Sequence, residues 1–482
     1  MALNSLPFLA FLALVYAGFS FGSERFRELW LLAASMGFIT WASPASAAVL
    51  LGCSLVCFYG GLRVDGLREE PERQQRWLLA IVSTLVAVLA VSKYSPMRAA
   101  IGAAATYAVT GRWDFVSVAM PVGCSFLIFQ GIGYVVDTAW GRPAERNLPR
   151  FLLFMSFFPK VLMGPIERAE GLLPQIAALS ASRFIYDEFR MGLLRFGWGL
   201  FKKVVIADRL ALYTSEVYDE PGKYHGLVVI VATIFYAFQL LADFSGYSDM
   251  AIGCAQLFHV RLTQNFEFPY AARNIQDFWR RWHVSFSAWI ATYLFTPLRM
   301  AWRGWKKAGM ILSVYVTFIL IGLWHGFQWT YVAMWTLHAT FVCVSILTLK
   351  ARESFWERHG LLERKWFRGL QMLGTFGMVT FSYVFFRAAT VRDALGIYTS
   401  MARWNGFEVG IHEGLEGPEL TIAFAALGLW YFAEGLFHSP ERLEALFRRP
   451  IPVRWATYFT LLFLVLCFGV FTKPSQFIYF RF

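Results

Sequence analysis

The chain is poor in charge and contains no long polar stretch. Asp, Glu, Lys and Arg make up 16% of its 482 residues, whereas 57% are hydrophobic and 18% are aromatic. Soluble domains carry about 25% charged and about 45–50% apolar residues. The composition therefore predicts an all-α polytopic membrane protein, with a single membrane domain over residues 1–482. At about 20 residues per span, on the order of ten membrane helices fit in this length.

The six cysteines form no metal-binding or disulfide pattern. They are Cys53, Cys57, Cys124, Cys254, Cys343 and Cys467. No Cys-x-x-Cys pair or His-Cys cluster occurs, and nearly all of them lie in apolar segments. We expect small buried hydrophobic residues, with no disulfide framework and no bound metal.

The cations lie in short loops between apolar runs. The formal net charge is +12, but Lys and Arg do not gather on one soluble face, so nucleic-acid binding is not expected. Basic loops stay on the cytoplasmic side, and we place four loops there and the N-terminus outside. These loops are residues 23–28, 63–76, 141–150 and 350–368. Residues 1–22 lack the basic start and the cleavage site of a signal peptide, which predicts a retained first span.

Apolar runs of about span length predict the membrane helices. They cover residues 6–22, 29–42, 45–62, 77–94, 115–138, 227–258, 369–386, 420–437 and 456–472, and residues 310–349 hold two further elements. Residues 151–165 are short and end in prolines, which predicts a re-entrant or interfacial segment. Residues 186–205 are predicted to form a helix along the lipid headgroups, with Lys202 and Lys203 near its end.

One apolar run contains a polar centre, residues 243–249, with the sequence Asp-Phe-Ser-Gly-Tyr-Ser-Asp. Unsatisfied polar groups cost several kcal/mol inside a bilayer. We therefore expect Asp243, Ser245 and Asp249 to face a cavity lined by protein and to contact substrate. Two carboxylates can also serve acid–base chemistry, bind a metal or pair with buried cations.

The spacing of the two carboxylates favours a structural role. Six residues apart on a helix they point to different sides, and Gly246 is expected to break the helix between them. An isolated ionised carboxylate is costly to bury. We predict that Asp243 and Asp249 pair with Arg280 and Arg281.

His325 lies between two glycines of a broken membrane segment, beside Trp324. A neutral imidazole there can accept a proton from an attacking hydroxyl, a role worth about 10² to 10⁴ in rate. The alternative is a buried histidine hydrogen-bonded to a backbone carbonyl at the helix break. His338 follows thirteen residues later, which is not a whole number of helical turns, so a shared metal is disfavoured and a packing role is expected.

His283 lies in an aromatic and basic segment, residues 276–289. On one continuous helix, Arg280, His283 and Ser287 share a face that can hold a phosphate-bearing donor or polarise a carbonyl. The alternative is an interfacial helix whose Arg and Trp side chains anchor at the headgroups. A second basic cluster, residues 299–307, is interpreted as a membrane-surface anchor.

Four motifs together resemble the bacterial membrane-bound O-acyltransferase (MBOAT) family, in the branch that includes the alginate O-acetylation subunit. They are residues 243–253, Asn-Phe-Glu-Phe-Pro-Tyr at 265–270, residues 278–289 and Gly-Leu-Trp-His-Gly at 322–326. Weaker likenesses occur at residues 158–166, 201–208, 384–388 and 477–480. One departure is Ala242, where a Tyr or Phe is expected before the polar centre.

The resemblance implies a helical core with re-entrant segments and a tunnel to a buried histidine. His325 matches the catalytic histidine of the family and His283 the second functional histidine of this branch. The implied reaction moves an acyl group, most simply acetyl from acetyl-CoA or an acyl carrier, from the cytoplasm toward an extracytoplasmic polysaccharide or partner protein. No bound cofactor is expected, and the implied location is the bacterial inner membrane, among its lipids.

Several alternatives stay open at this point. Within the same class they are peptidoglycan O-acetylation and D-alanyl transfer to teichoic acid. A transporter, with the aspartates and histidines along a pathway, is a different class, although no inverted halves are visible. A haem protein with two histidine ligands is a third.

Overall fold

A computed structural model describes residues 2–94, 97, 99, 121–181, 183–220, 222–403, 417–437, 439–472 and 475–478. Its α-helices are α1 Leu6–Phe21, α2 Glu24–Ala42, α3 Pro44–Asp65, α4 Pro71–Lys93, α5 Cys124–Ala139, α6 Leu148–Ser156, α7 Ala169–Ala177, α8 Tyr186–Phe201, α9 Asp208–Asp219, α10 Leu227–Leu257, α11 Ile275–Arg281, α12 Val284–Ile290, α13 Thr296–Ala301, α14 Lys306–His325, α15 Trp329–Arg358, α16 Lys365–Arg387, α17 Val391–Ala402, α18 Gly417–Phe437, α19 Pro440–Phe447 and α20 Ile451–Phe468. Within these ranges no β-strand forms, and the prediction of an all-α protein is confirmed.

Eight helices in the described part of the chain are long and apolar enough to cross a membrane. They are α3, α4, α10, α14 extended back to Arg303, α15, α16, α18 up to Leu436, and α20, and two shorter apolar helices are α1 and α5. The predicted apolar runs therefore fall on helices wherever the structure describes them; the start of the run at 115–138 lies outside the described residues. The chain is a multi-pass membrane protein.

Local sequence explains where many of these helices begin. The Ser5 hydroxyl accepts a hydrogen bond from the backbone N–H of Phe8, and the Ser43 hydroxyl does the same for Ser46. Such caps satisfy N–H groups that have no partner inside the helix. Pro44 and Pro71 stand at first helical positions, where the absent proline N–H is not needed.

The structure divides into two compact units that alternate along the chain. The first comprises residues 1–196 and 250–263, and the second comprises residues 197–249 and 264–482. In the first unit, Phe38 packs on Phe158 and Phe158 on Phe258, with ring centroids 6.0 and 5.7 Å apart. The nine-residue helix α6 in this unit is too short to cross a bilayer, in agreement with the prediction for residues 151–165.

The second unit holds the polar centre with His283, His325 and His338, and there the predicted break at Gly246 is wrong. Helix α10 runs without interruption through residues 243–249. Gly246 is needed for close packing, because a Cβ atom there would lie 2.8 Å from the carbonyl oxygen of Gly199 and 3.1 Å from Cβ of Lys202. The glycine lets the backbone of residues 199–203 approach α10, and it does so without ending the helix.

The approaching backbone is also irregular. Residues Lys202–Ala207 form a π-helical segment between α8 and α9. Single π turns inside helices are uncommon and often mark functional positions. Both lysines at its start are buried in the protein and do not lie on an exposed helix surface.

We predict that Gly246→Ala lowers stability by about 1–3 kcal/mol, the usual effect of overpacking. Gly377 in α16 is the matched control, since nothing lies within 4 Å of a Cβ atom built on it. Gly377→Ala should leave stability unchanged or raise it by about 0.5–1 kcal/mol. Thermal unfolding of the detergent-solubilised variants measures both effects, and equal melting temperatures would contradict the packing argument.

Candidate active site

His325 is the last residue of α14, at the predicted break. The helix ends there, Gly326 follows, and α15 begins at Trp329, which confirms the break predicted at residues 322–326. Gly322 lets Trp335 pack against the backbone, since a Cβ atom at 322 would lie 3.0 Å from the Trp335 ring. A Cβ atom at Gly326 would lie 2.8 Å from the Tyr331 ring. Aromatic side chains of α15 therefore pack closely on both glycines at the break.

The imidazole of His325 is 4% exposed and is surrounded by aromatic rings. It stacks on Trp335 at 5.1 Å between centroids and meets the edges of Trp324 at 4.5 Å and Phe386 at 5.5 Å. These contacts orient the ring by packing.

His283 is also buried, but the predicted single helix over residues 276–289 is wrong. Helix α11 ends at Arg281, and His283 precedes α12 with a left-handed backbone, φ 45°. Non-glycine residues seldom adopt this conformation. Backbone strain of this kind persists only where surrounding structure enforces it, often at functional sites.

The segment that starts at Asn265 enforces the break. The N–H of Val284 donates to the carbonyl of Asn265 at 2.9 Å, and the N–H of Glu267 donates to the carbonyl of Arg281 at 3.0 Å. The Asn265 side chain also accepts hydrogen bonds from the backbone and hydroxyl of Ser285, at 3.2 and 2.7 Å. The motif at 265–270 thus holds His283 in place by backbone pairing, including a bridge between Phe266 and Trp282.

Burial also controls the charge of His283. Its ring is 2% exposed and meets the edge of Phe244, from the polar centre, at 4.7 Å. Burial lowers the pKa of His283 far below its ordinary value. The imidazole is therefore neutral at physiological pH and can donate one hydrogen bond and accept another.

Shared aromatic neighbours bring the three histidines into one cluster. Phe286 stacks on His283 at 5.0 Å and on Trp324, the neighbour of His325, at 4.9 Å. Trp335 contacts both His325 and His338, the latter at 5.9 Å. We call these rings the aromatic core of the site.

His338 has the partner expected of a packing residue. Its Nε2 lies 2.8 Å from the hydroxyl of Ser382, and its side chain is fully buried. Trp279 meets its ring at 5.1 Å. Among the residues that the structure describes, no group of three His, Cys, Asp or Glu side chains could hold a metal ion.

A cavity of about 400 Å³ lies against one wall of the aromatic core. Helices α11 and α12 contribute Trp279, Arg280, Phe286 and Ser287, and helix α14 contributes Thr317 among others. Arg280 and Ser287 therefore share this space, as predicted, although a helix break separates them. Phe286 lines the cavity and stacks on His283, but neither His283 nor His325 lines it, so the tunnel to a buried histidine stays a prediction.

Lys202 forms the first of two buried ion clusters. Its Nζ donates to Asp249 at 2.7 Å and to Glu434 of α18 at 2.6 Å. The indole N–H groups of Trp198 and Trp430 donate to the other oxygen of Glu434, at 3.0 and 2.9 Å. The predicted pairing of Asp249 with an arginine is wrong, because lysines of the π-helical segment lie closer to α10.

Lys203 forms the second cluster. Its Nζ lies 2.8 Å from both Asp208 and Asp243, and it donates to the carbonyl of Ser475 at 2.9 Å. The second oxygen of Asp243 accepts the N–H of Ile478 at 2.7 Å. Burial by itself would lower the pKa of Lys203, but the two carboxylates raise it above its ordinary value and keep the lysine charged.

Arg280 and Arg281 pair with another residue of their own helix. Both guanidinium groups lie 3.0 Å from a carboxylate oxygen of Asp277, which precedes them by about one turn of α11. Ser245 is buried in α10, and its hydroxyl has no hydrogen-bond partner among the described residues. Whether these residues, Asp243, Asp249 or Trp324 contact substrate stays a prediction.

Sequence reasoning missed Glu434, Asn265 and Lys203. Glu434 had a visible signal, as a carboxylate within an apolar run that predicts a membrane helix. Asn265 belongs to a motif that was recognised, but its bond to residues 284–285 depends on the fold. Lys203 was predicted to be an interfacial cation because nothing local shows that Asp243, forty residues away, pairs with it.

Membrane-length helices around buried histidines define a membrane-embedded site, and sequence comparison identifies its class. The model of the membrane-bound O-acyltransferase family matches residues 143–384, about half of the chain. The chain belongs to this family and is an O-acyltransferase.

Relatives with named activities share most of their length with the chain. A probable alginate O-acetylase, AlgI, of Pseudomonas putida is 32% identical over 89% of this chain and 87% of its own length. A peptidoglycan O-acetyltransferase of Helicobacter pylori is 30% identical over 79% and 75%. A teichoic acid D-alanyltransferase of Bacillus subtilis is 27% identical over 57% and 73%.

We predict that Lys203→Met destabilises the protein by about 3–5 kcal/mol, because it leaves buried carboxylates without their cation. The matched control is Lys223→Met, which removes a half-exposed lysine paired with Glu216 and Glu220. Exposed pairs contribute about 0–1 kcal/mol. The melting temperature in detergent should fall for the first variant and hardly move for the second; a similar value for both would contradict the role of the cluster.

Proposed function

We propose that this protein is an inner-membrane O-acetyltransferase that modifies an extracytoplasmic polysaccharide of the alginate type, directly or through a partner protein. The observation that carries the proposal is His325, buried at a helix break inside the aromatic core, in a chain that shares 32% identity with a probable alginate O-acetylase over 89% of its length. The donor is a cytoplasmic thioester, acetyl-CoA or an acyl carrier, bound as substrate. No resident cofactor takes part.

The reaction needs a base and a group that stabilises the oxyanion. The acceptor hydroxyl oxygen attacks the thioester carbonyl carbon, a carbon–oxygen bond forms and the carbon–sulfur bond breaks. His325 accepts the hydroxyl proton and returns it to the departing thiolate. His283, held neutral by burial, donates a hydrogen bond to the carbonyl oxygen as negative charge develops there.

The cavity next to the aromatic core suits the acyl end of the donor. Its walls are mainly apolar, while Arg280 and Ser287 provide polar contacts. Phe286 lines the cavity and neither histidine does, so Phe286 must move for an acyl group to reach them. The proposal therefore includes a side-chain movement when the donor binds.

A second candidate acceptor is peptidoglycan, because the relative from Helicobacter pylori matches over 79% of the chain. Purified protein supplied with labelled acetyl-CoA, labelled acyl carrier and separate acceptors distinguishes the candidates. Label on an alginate-type polymer supports the proposal, and label only on muropeptides supports the second candidate. A transporter would instead exchange labelled substrate across vesicles without any donor.

We predict that His325→Ala abolishes acyl transfer, with a loss of at least about 10² to 10⁴ in rate, because the base is removed. Membrane expression should stay near that of the parent protein. His359→Ala is the matched control, since His359 is an exposed histidine at the end of α15. Transfer of label from acetyl-CoA measures the effect, and full activity in His325→Ala would defeat the mechanism.

We predict a different profile for His283. His283→Ala should lower kcat by about 10² to 10³, the usual effect of losing an oxyanion donor. His283→Asn should recover part of this loss because its amide also donates. Since burial keeps His283 neutral, the pH–rate profile between pH 6 and 8 should keep its shape in His283→Asn; a lost ionisation in that range would contradict the assignment.

A further inference from the structure

A second cavity lies near the short loop that joins α15 to α16. It measures about 560 Å³ and lies between the start of α11, the second half of α15 and the first half of α16. Its walls include Val344 and Leu370, which are 53% and 55% exposed. In a membrane protein such apolar side chains face lipid, so the cavity opens toward the bilayer.

The polar part of this cavity is entirely cationic or neutral. Arg273 and Arg352 line it together with Gln371 and several hydroxyl side chains, and the lining contains no Asp or Glu. The adjoining residues 350–368 are the basic segment that the charge pattern places in the cytoplasm. A cationic site thus meets an apolar groove at the expected level of the cytoplasmic headgroups.

Arg352 is held in position by its neighbours. One terminal nitrogen donates to the carbonyl and the hydroxyl of Ser345, at 2.9 and 3.0 Å, and the guanidinium lies 5.3 Å from the ring of Trp356. Its Nε has no hydrogen-bond partner among the described residues. This arrangement pre-orients a guanidinium, which binds phosphate oxygens in a planar, two-point geometry.

We propose that this cavity is a binding site for one anionic phospholipid. The phosphate contacts Arg273 and Arg352, and an acyl chain lies along Val344 and Leu370. Charge complementarity and the lipid-facing opening select this occupant. A soluble phosphate compound would leave the apolar groove without a partner.

The site is connected to the candidate active site by hydrogen bonds. Arg352 donates to Ser345, and the hydroxyl of Ser345 donates to Gln276 at 2.7 Å. Gln276 lies in α11 and lines the cavity of about 400 Å³ beside the aromatic core. A lipid bound to Arg352 therefore stabilises the hydrogen bonds through Ser345 and Gln276 that position α11. Acyl transfer should then increase with the content of anionic lipid.

Native mass spectrometry of the purified full-length protein with phosphatidylglycerol tests the proposal independently of the enzymatic assignment. The parent protein should retain one phosphatidylglycerol molecule, and Arg273→Gln with Arg352→Gln should weaken its retention by about tenfold or more, as expected for lost charge-assisted hydrogen bonds. Arg352→Lys should retain it in part. Arg358→Gln is the control, since this exposed arginine on the same helix does not line the cavity.

Comparison with other ligands identifies the source of the phosphate. Phosphatidylcholine should bind more weakly, and neither inorganic phosphate nor coenzyme A should displace phosphatidylglycerol. Equal retention by the double variant, or displacement by coenzyme A, would overturn the proposal. Arg273→Gln alone changes an exposed side chain and gives a folded variant if the double variant fails to fold. Loss of lipid with unchanged acyl transfer would reject the link to α11 and leave the proposed function intact.

Discussion

Two lysine side chains inside a membrane protein set the main constraint on this structure. An unpaired ammonium group is very costly away from water, so Lys202 and Lys203 are compatible with the fold only if carboxylates reach them. Glu434 reaches Lys202 from helix α18, and Asp243 reaches Lys203 from helix α10. These ion pairs join segments that are far apart in the chain, and each segment also contributes apolar packing to the second unit.

The ion clusters help to position the candidate site, because helix α10 carries Asp243 and Asp249 and also Phe244, whose ring contacts His283. Asp243 is followed by Phe244, whose edge meets His283 at 4.7 Å. On the other side, the Asn265 segment holds the left-handed backbone of His283. The imidazole is thus positioned by a helix anchored through charge and by a segment anchored through backbone pairing.

The same low-polarity surroundings suit acyl transfer and restrict access. In the proposed function, the aromatic rings around His325 exclude water that would compete with the acceptor hydroxyl, and they strengthen electrostatic interactions inside the site. Phe286, which stacks on His283, lines the adjoining cavity. In the proposed function, Phe286 moves when the donor binds. The proposed phospholipid site is linked to Gln276 of α11, and through this helix it can influence that movement.

Much of the fold was predictable, and the errors share one cause. Hydropathy gave the membrane helices, and the glycines around His325 gave the break between α14 and α15. The break at His283 was missed, because residues 276–289 have a good helical pattern and only the distant Asn265 interrupts it. Gly246 led to the opposite error, since a glycine in a helix signals a break unless another backbone packs against it.

By itself, the sequence determined that this protein is a helical membrane protein, that it carries the motifs of its family, and that His325 stands at a helix break. These properties arise from local composition and spacing, which act over a few turns of chain. Only the tertiary structure decided which cations neutralise Asp243 and Asp249, and which rings surround the histidines. The ion pairs of Asp243 and Asp249 join residues 40 and 47 positions apart. Burial, which makes these pairs necessary, exists only once the chain has folded.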